Sequence, residues 1–184
     1  MVYCKSFGFM FLLASLVQNV WRSVCGVICG KGLSLWLSLI HILFNEAEVA
    51  QRKKEGEILR ATFPQLDIFN PIDQPFNENK QSLPTPEEIY DGDTKAVEEC
   101  DIFIADLTNE DAGVMVELGI AIKSHTKIII GINSDIRLQS ANRYDIPTYG
   151  MNHYVLGAIL KHGYFVRSFD EAVETLKTAL ENII

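Results

Sequence analysis

Positive charge is what this sequence is short of. Its 184 residues carry 16 Lys and Arg against 24 Asp and Glu, a formal charge of −8. A nucleic-acid backbone would meet net repulsion, which excludes the usual phosphate-tracking binder. Cysteine is scarce as well: Cys4, Cys25 and Cys29 sit in the first thirty residues, and Cys100 stands alone in the rest. Neither Cys25 nor Cys29 has a histidine or a second cysteine pair at zinc spacing, so these residues do not indicate a metal site. One cysteine in the body fits a reducing compartment, where a buried thiol acts as a small hydrophobe. Long apolar runs are also missing. "FGFMFLLASLV", Phe7 to Val17, follows Lys5 in the manner of a signal peptide or short anchor, but Gln18 and Arg22 interrupt it. Fewer than the ~18 apolar residues of a spanning helix accumulate, and no small-residue cleavage site follows.

The charge that is present is unevenly placed. Residues 1–43 hold only Lys5, Arg22 and Lys31, which leaves 13 basic against 24 acidic residues, or −11, for the remainder. That remainder reads as one acidic, cytoplasmic domain, and the whole length suits one core rather than two. The hexapeptide "LSLIHI", Leu37 to Ile42, is what one codon choice of a transposon mosaic end encodes. The expectation is therefore a foreign segment over residues 1–42 joined to a native domain over 43–184, with no localisation to be read from the former.

From Phe44 onward, helical and strand patterns alternate. "NEAEVAQRKKEGEILRATF" has Asn45 as N-cap and apolar residues at helical spacing, among them Ile58, Leu59 and Phe63. "LDIFNP" reads as a short strand ended by Pro71, and the long polar connection "IDQPFNENKQSLP" as a candidate site loop. Thr85, Pro86 and Glu88 form a capping-box start for a helix reaching about Glu99, with a break expected near Gly92. "CDIFIADL" and "TKIIIGIN" are near-continuous apolar runs, as in parallel strands buried on both faces. Between them Ala112–Ser124 predicts a helix. A helix over Asn152–His162, the strand "YFVR" and a final helix boxed by Ser168 and Glu171 complete the chain. Such alternation predicts an α/β fold, a doubly wound sandwich with a parallel sheet of about five strands. Its first strand is expected just before Phe44, a slot that "LSLIHILF" is apolar enough to fill.

In such sheets ligands bind beyond the carboxyl ends of the strands. Asp106, Thr108 and Asp111 fall there, with Gln74 after another strand, Asp93 opening "DTKAVEECD" and Glu117 in the next helix. Bland roles exist for most. Asp111 and Asp93 suit helix caps, and Asp106 suits loop amides. His125, His153 and His162 are isolated and read as surface residues. Glu117 is different, because Val114, Met115, Val116, Leu118, Ile120, Ala121 and Ile122 leave it few solvated directions. A salt bridge is its structural alternative. A functional carboxylate is the better one, since desolvation without a purpose is costly. Carboxylates of this kind suit glycosidic-bond chemistry, one attacking the anomeric carbon while another supplies the leaving group's proton.

"DGDTKAVEECDIFIADLTNE" followed by "DAGVMVELG" resembles the nucleoside 2-deoxyribosyltransferases, and the likeness runs from "LFNEAE" through "NPIDQ" to the terminal helix. The resemblance implies a flavodoxin-like fold and retaining transfer of 2-deoxyribose between nucleobases through a deoxyribosyl-enzyme intermediate. It assigns Glu117 as nucleophile, Asp93 to the base and its proton, Asp111 to the deoxyribose hydroxyl side and Gln74 to the base. Asn152 and Tyr154 would reach a neighbouring subunit's sugar 5′-hydroxyl, which implies a homo-oligomer with shared sites. The implied partners are deoxynucleosides and free nucleobases, with no cofactor, metal, nucleic acid or membrane. The family opens with a strand of the type I-Y-L-A-G-P-L-F, whose Tyr orients the nucleophile and whose Gly lies near the sugar; both are absent here. The expectation is that Glu117 lacks an orienting hydrogen bond and that the chain is impaired. Three rival readings are a related hydrolase of 2′-deoxynucleoside 5′-monophosphates, a non-enzymatic nucleotide-binding domain and a membrane-tethered protein.

Overall fold

The computed structural model describes residues 32–38, 45–73, 84–136 and 150–182. The sheet and its helices belong to one compact unit, Ser34–Ile184. The N-terminal apolar segment, Gln74 with most of its polar connection, and the loop at 137–149 lie outside the described residues.

Five parallel strands form the sheet: β1 (Ser34–Ser38), β2 (Asp67–Phe69), β3 (Ile102–Asp106), β4 (Ile128–Ile132) and β5 (Tyr164–Val166). Their order is β2-β1-β3-β4-β5, and every neighbouring pair is parallel. This is the doubly wound, flavodoxin-like architecture expected from the alternation, with its switch point between β1 and β3. The helices are α1 (Glu46–Thr62), α2 (Pro86–Glu99), α3 (Ala112–Lys123), α4 (His153–His162) and α5 (Phe169–Glu181).

The first strand lies earlier than expected. It is "SLWLS" at Ser34–Ser38, which shares only Leu37 and Ser38 with the expected "LSLIHILF" and puts the centre of the sheet inside the segment read as foreign; residues 39–44 lie outside the described residues. The alternation Leu-Trp-Leu explains this placement. Leu35 and Leu37 face one side of the sheet while Trp36 and Ser38 face the other, so both layers are served. Trp36 is paired with Phe69 on β2 and Phe103 on β3, and its ring stacks on Phe69 at 4.4 Å between centroids and 8° between planes. Around it Phe103, Ala105, Ile129, Val97, Leu118 and Ile159 close the core beneath α2, α3 and α4. Burying each large side chain there contributes roughly 2 kcal/mol.

Local signals place the helices well. Asn45 and Thr85 both make complete capping boxes, with Glu48 and Glu88. At α5 the box is only half made: Ser168 accepts from Glu171 N–H, but the Glu171 carboxylate accepts from Arg167 N–H instead. The expected break at Gly92 does not occur. α2 runs unbroken from Pro86 to Glu99, because a single Gly costs a helix only about 1 kcal/mol and packing against α3 outweighs it.

Candidate active site

Glu117 sits midway along α3 and is half-buried. It is less enclosed than its apolar neighbours suggest, because Val116 and Gly119 turn to solvent. Its Oε2 accepts hydrogen bonds from the Trp36 indole Nε1–H at 3.1 Å and from the Ser38 hydroxyl. Both donors come from β1. The expectation that Glu117 lacks a hydrogen-bond donor is therefore corrected: an indole N–H and a serine hydroxyl both reach it. Sequence reasoning missed both, although their i, i+2 spacing on one strand face is a signal that they act on the same side.

Burial pushes the Glu117 pKa up, the Ser38 and Trp36 hydrogen bonds pull it down, and the charges of Asp93 and Asp111 raise it further; the balance is upward. Asp93 and Asp111, expected to act with Glu117, are thus each within electrostatic reach of it. Asp93, half-buried, is also raised, by desolvation. It does not open a helix as its sequence context suggests. It lies inside α2, whose start is set at Thr85, and this interior position turns it toward α3.

Asp111 does cap α3, its Oδ1 accepting from Gly113 N–H at 2.8 Å and Val114 N–H at 3.2 Å. That leaves Oδ2 without a hydrogen bond among the described residues. The residue before it, Glu110, is held at φ 50°, a left-handed conformation uncommon for a non-glycine residue. There its carboxylate accepts from Asn152 N–H at 2.7 Å, tying the start of α4 to the start of α3. Thr108, Glu110, Asp135, Gly150 and Asn152 are among the residues lining an open cleft of about 490 Å³ beyond β3 and β4. Neither Glu117 nor Asp111 lines this cleft; Glu110, which precedes Asp111 in the chain, does.

Asn152 caps α4, its Oδ1 accepting from Tyr154 N–H at 2.9 Å and Val155 N–H at 3.4 Å. Tyr154 is 87% exposed. Asp106 behaves as expected, accepting from Thr108 N–H at 2.9 Å, but it is also part of a buried charge cluster that the sequence does not reveal. Arg52 on α1 bonds Asp106 at 2.6 Å and Glu55 at 2.7 Å, with both carboxylates almost wholly buried. The i, i+3 spacing of Arg52 and Glu55 is visible in the sequence; their burial is not.

The fold and this centre define a doubly wound α/β protein with a carboxylate group at its topological switch point. The nucleoside 2-deoxyribosyltransferase family model matches residues 41–175, and the chain belongs to that family. As its name says, it is an enzyme family of glycosyl transfer. An uncharacterized protein of Ureaplasma parvum serovar 3 is 29% identical over 150 residues, covering 76% of this chain and 92% of that protein. A conserved protein from Enterococcus faecalis V583 shares the fold at a TM-score of 0.63, with 22% identity, over 80% of this chain and 98% of its own. A CMP N-glycosidase from Clostridium botulinum aligns at a TM-score of 0.48 and 18% identity, over 79% and 98% of the two chains. No helix among the described residues is long and apolar enough to cross a membrane.

Proposed function

We propose that this protein transfers 2-deoxyribose between nucleobases with retention of configuration, through a covalent intermediate on Glu117. The observation that carries this reading is the aimed carboxylate itself: Glu117 held through Oε2 by two donors, with the carboxyl groups of Asp93 and Asp111 beside it. An ionised Glu117 oxygen bonds to C1′ as the bond from C1′ to the base nitrogen breaks. The bond's electrons go to the base, and the Asp93 carboxyl supplies the proton. An acid in this role must hold its proton close to neutral pH, and burial moves Asp93 in that direction. A nitrogen of the incoming base then displaces Glu117 from C1′ and returns its proton to Asp93. Two inversions give retention.

Asp111 has an oxygen to spare for the deoxyribose hydroxyl, and Gln74 is assigned to the base. Asn152 and Tyr154 take the 5′-hydroxyl of a sugar bound in a neighbouring subunit, which makes the working enzyme a homo-oligomer with shared sites. The outward position of Tyr154 supports that assignment.

Mass spectrometry of the intact protein after incubation with a deoxynucleoside alone tests this reading. The expected result is a deoxyribosyl adduct that Glu117→Gln abolishes. Release of the base with no adduct, or an adduct unaffected by the substitution, would overturn it. Running the 5′-monophosphate beside the deoxynucleoside identifies the hydrolase alternative, which requires the monophosphate to be preferred and water to be the acceptor.

A further inference from the structure

We propose that Trp36 and Ser38 are a paired positioning device for Glu117, holding Oε2 from β1 so that Oε1 is the oxygen that bonds to the sugar. This rests on the reading of Glu117 as nucleophile given above. Both donors converge on one oxygen, Trp36 Nε1 at 3.1 Å and Ser38 Oγ beside it. Oε1 has no hydrogen-bond partner among the described residues, so its lone pairs stay available for attack. Two donors from different side chains also restrict rotation about the carboxylate's own bonds, which one donor would not do.

The device is rigid because its base is core. Trp36 is 2% exposed and stacked on Phe69, so its N–H cannot swing without opening close-packed structure. Ser38 is buried, and β1 carries both residues between β2 and β3, hydrogen-bonded to strands on either side. The donors are thus set before any substrate arrives, which is the condition for a catalytic gain from preorganisation. They also answer an electrostatic need. Among the described residues, the ionisable groups facing Glu117 are the carboxyls of Asp93 from α2 and Asp111 at the start of α3, while β1 contributes no charged group. An ionised Glu117 beside acidic neighbours is tolerable where neutral donors offset its desolvation and the repulsion. β1 precedes the residues matched by the family model, so this pair is a property of this chain rather than of the matched region.

Trp36→Phe keeps the ring on Phe69 and removes only the N–H; Ser38→Ala removes only the hydroxyl. Each is expected to lower kcat about tenfold or more, the worth of one hydrogen bond to a charged group, with KM within roughly threefold of the parent. In each, the acid limb of the kcat–pH profile moves to higher pH, and the Glu117 carboxyl, followed by its ¹³C resonance, titrates at higher pH. Ser38→Thr restores the parent profile. Should Trp36→Phe fail to fold, Ser38→Ala and Ser38→Thr carry the test alone. Unchanged titration and an unchanged pH limb in the variants would overturn the proposal. The carboxyl titration needs no turnover, so it separates the two ideas. A shifted titration without any Glu117 adduct removes the nucleophile and with it the Oε1 assignment, whereas an adduct with an unshifted titration removes the positioning pair alone.

Discussion

Glu117 is a carboxylate whose surroundings favour its neutral form on balance, while the proposed chemistry needs it charged. That conflict has a stability consequence with a definite sign. Its folded-state pKa lies above the ordinary glutamate value, mainly through burial, so the folded chain binds this proton more tightly than the unfolded chain. The stabilising effect of the proton is fully present below the unfolded-state value and is lost as pH rises through the folded one. Glu117→Gln carries no charge at any pH and can still accept from Trp36 and Ser38. It is therefore expected to melt higher than the parent at pH 7, with the difference vanishing below the ordinary glutamate range. Thermal melts at pH 4 and pH 7 check this; a variant less stable at pH 7 than at pH 4 relative to the parent would contradict it. Function and stability are opposed at this residue, as is common where a charge is held for chemistry.

At the scale of elements, two contacts decide how the strands and helices meet. Gly163 ends α4 and leads into β5, and a Cβ there would lie 2.2 Å from the Ile129 carbonyl oxygen of β4. Backbone cannot yield as a side chain can. Gly163→Ala is expected to cost about 1–3 kcal/mol, read as a lower denaturant midpoint with little change in slope. On the other side of the sheet, Arg52 links α1 to the end of β3 through Asp106 while also pairing with Glu55. Removing the guanidinium leaves two buried carboxylates without their cation. Arg52→Ala is expected to destabilise by about 3–5 kcal/mol. Combining Arg52→Met with Glu55→Gln and Asp106→Asn should recover most of that loss, and denaturant unfolding of the single and triple variants measures both.

For the whole molecule, the strand order matters most. Because β1 lies between β2 and β3, the chain leaves the sheet in opposite directions on either side of the switch point, and Glu117, Asp93 and Asp111 gather beside it. Tyr154 is exposed on α4, and its proposed assignment depends on a second subunit. Tyr154→Ala is expected to raise KM for a deoxynucleoside about tenfold, a difference of roughly 1.4 kcal/mol, with an unchanged melting temperature. Co-refolding it with Glu117→Gln should restore a low-KM fraction through sites with both residues intact; additive kinetics of the two separate variants would refute a shared site.

Much of this protein is legible in the sequence by itself. The caps at Asn45, Thr85, Asp111 and Asn152 are local, each a side chain bonding amides within three residues, so each can be read from spacing alone. The buried runs of β3 and β4 and the five-strand alternation follow from hydrophobic period in the same way. Local pattern puts Asp93 at a helix start because it suits a cap, whereas the actual start is set eight residues earlier by Thr85. The burial of Arg52, Glu55 and Asp106, and the choice of Ser34–Ser38 as the central strand, depend on partners 54 to 67 residues distant in the chain. The donors to Glu117 are farther still, 79 and 81 residues away. Local sequence determined which segments are helix and strand and that Glu117 would need company. Only the tertiary structure decided that its company is Trp36 and Ser38, because a hydrogen bond across that span exists only once the sheet has brought β1 beneath α3.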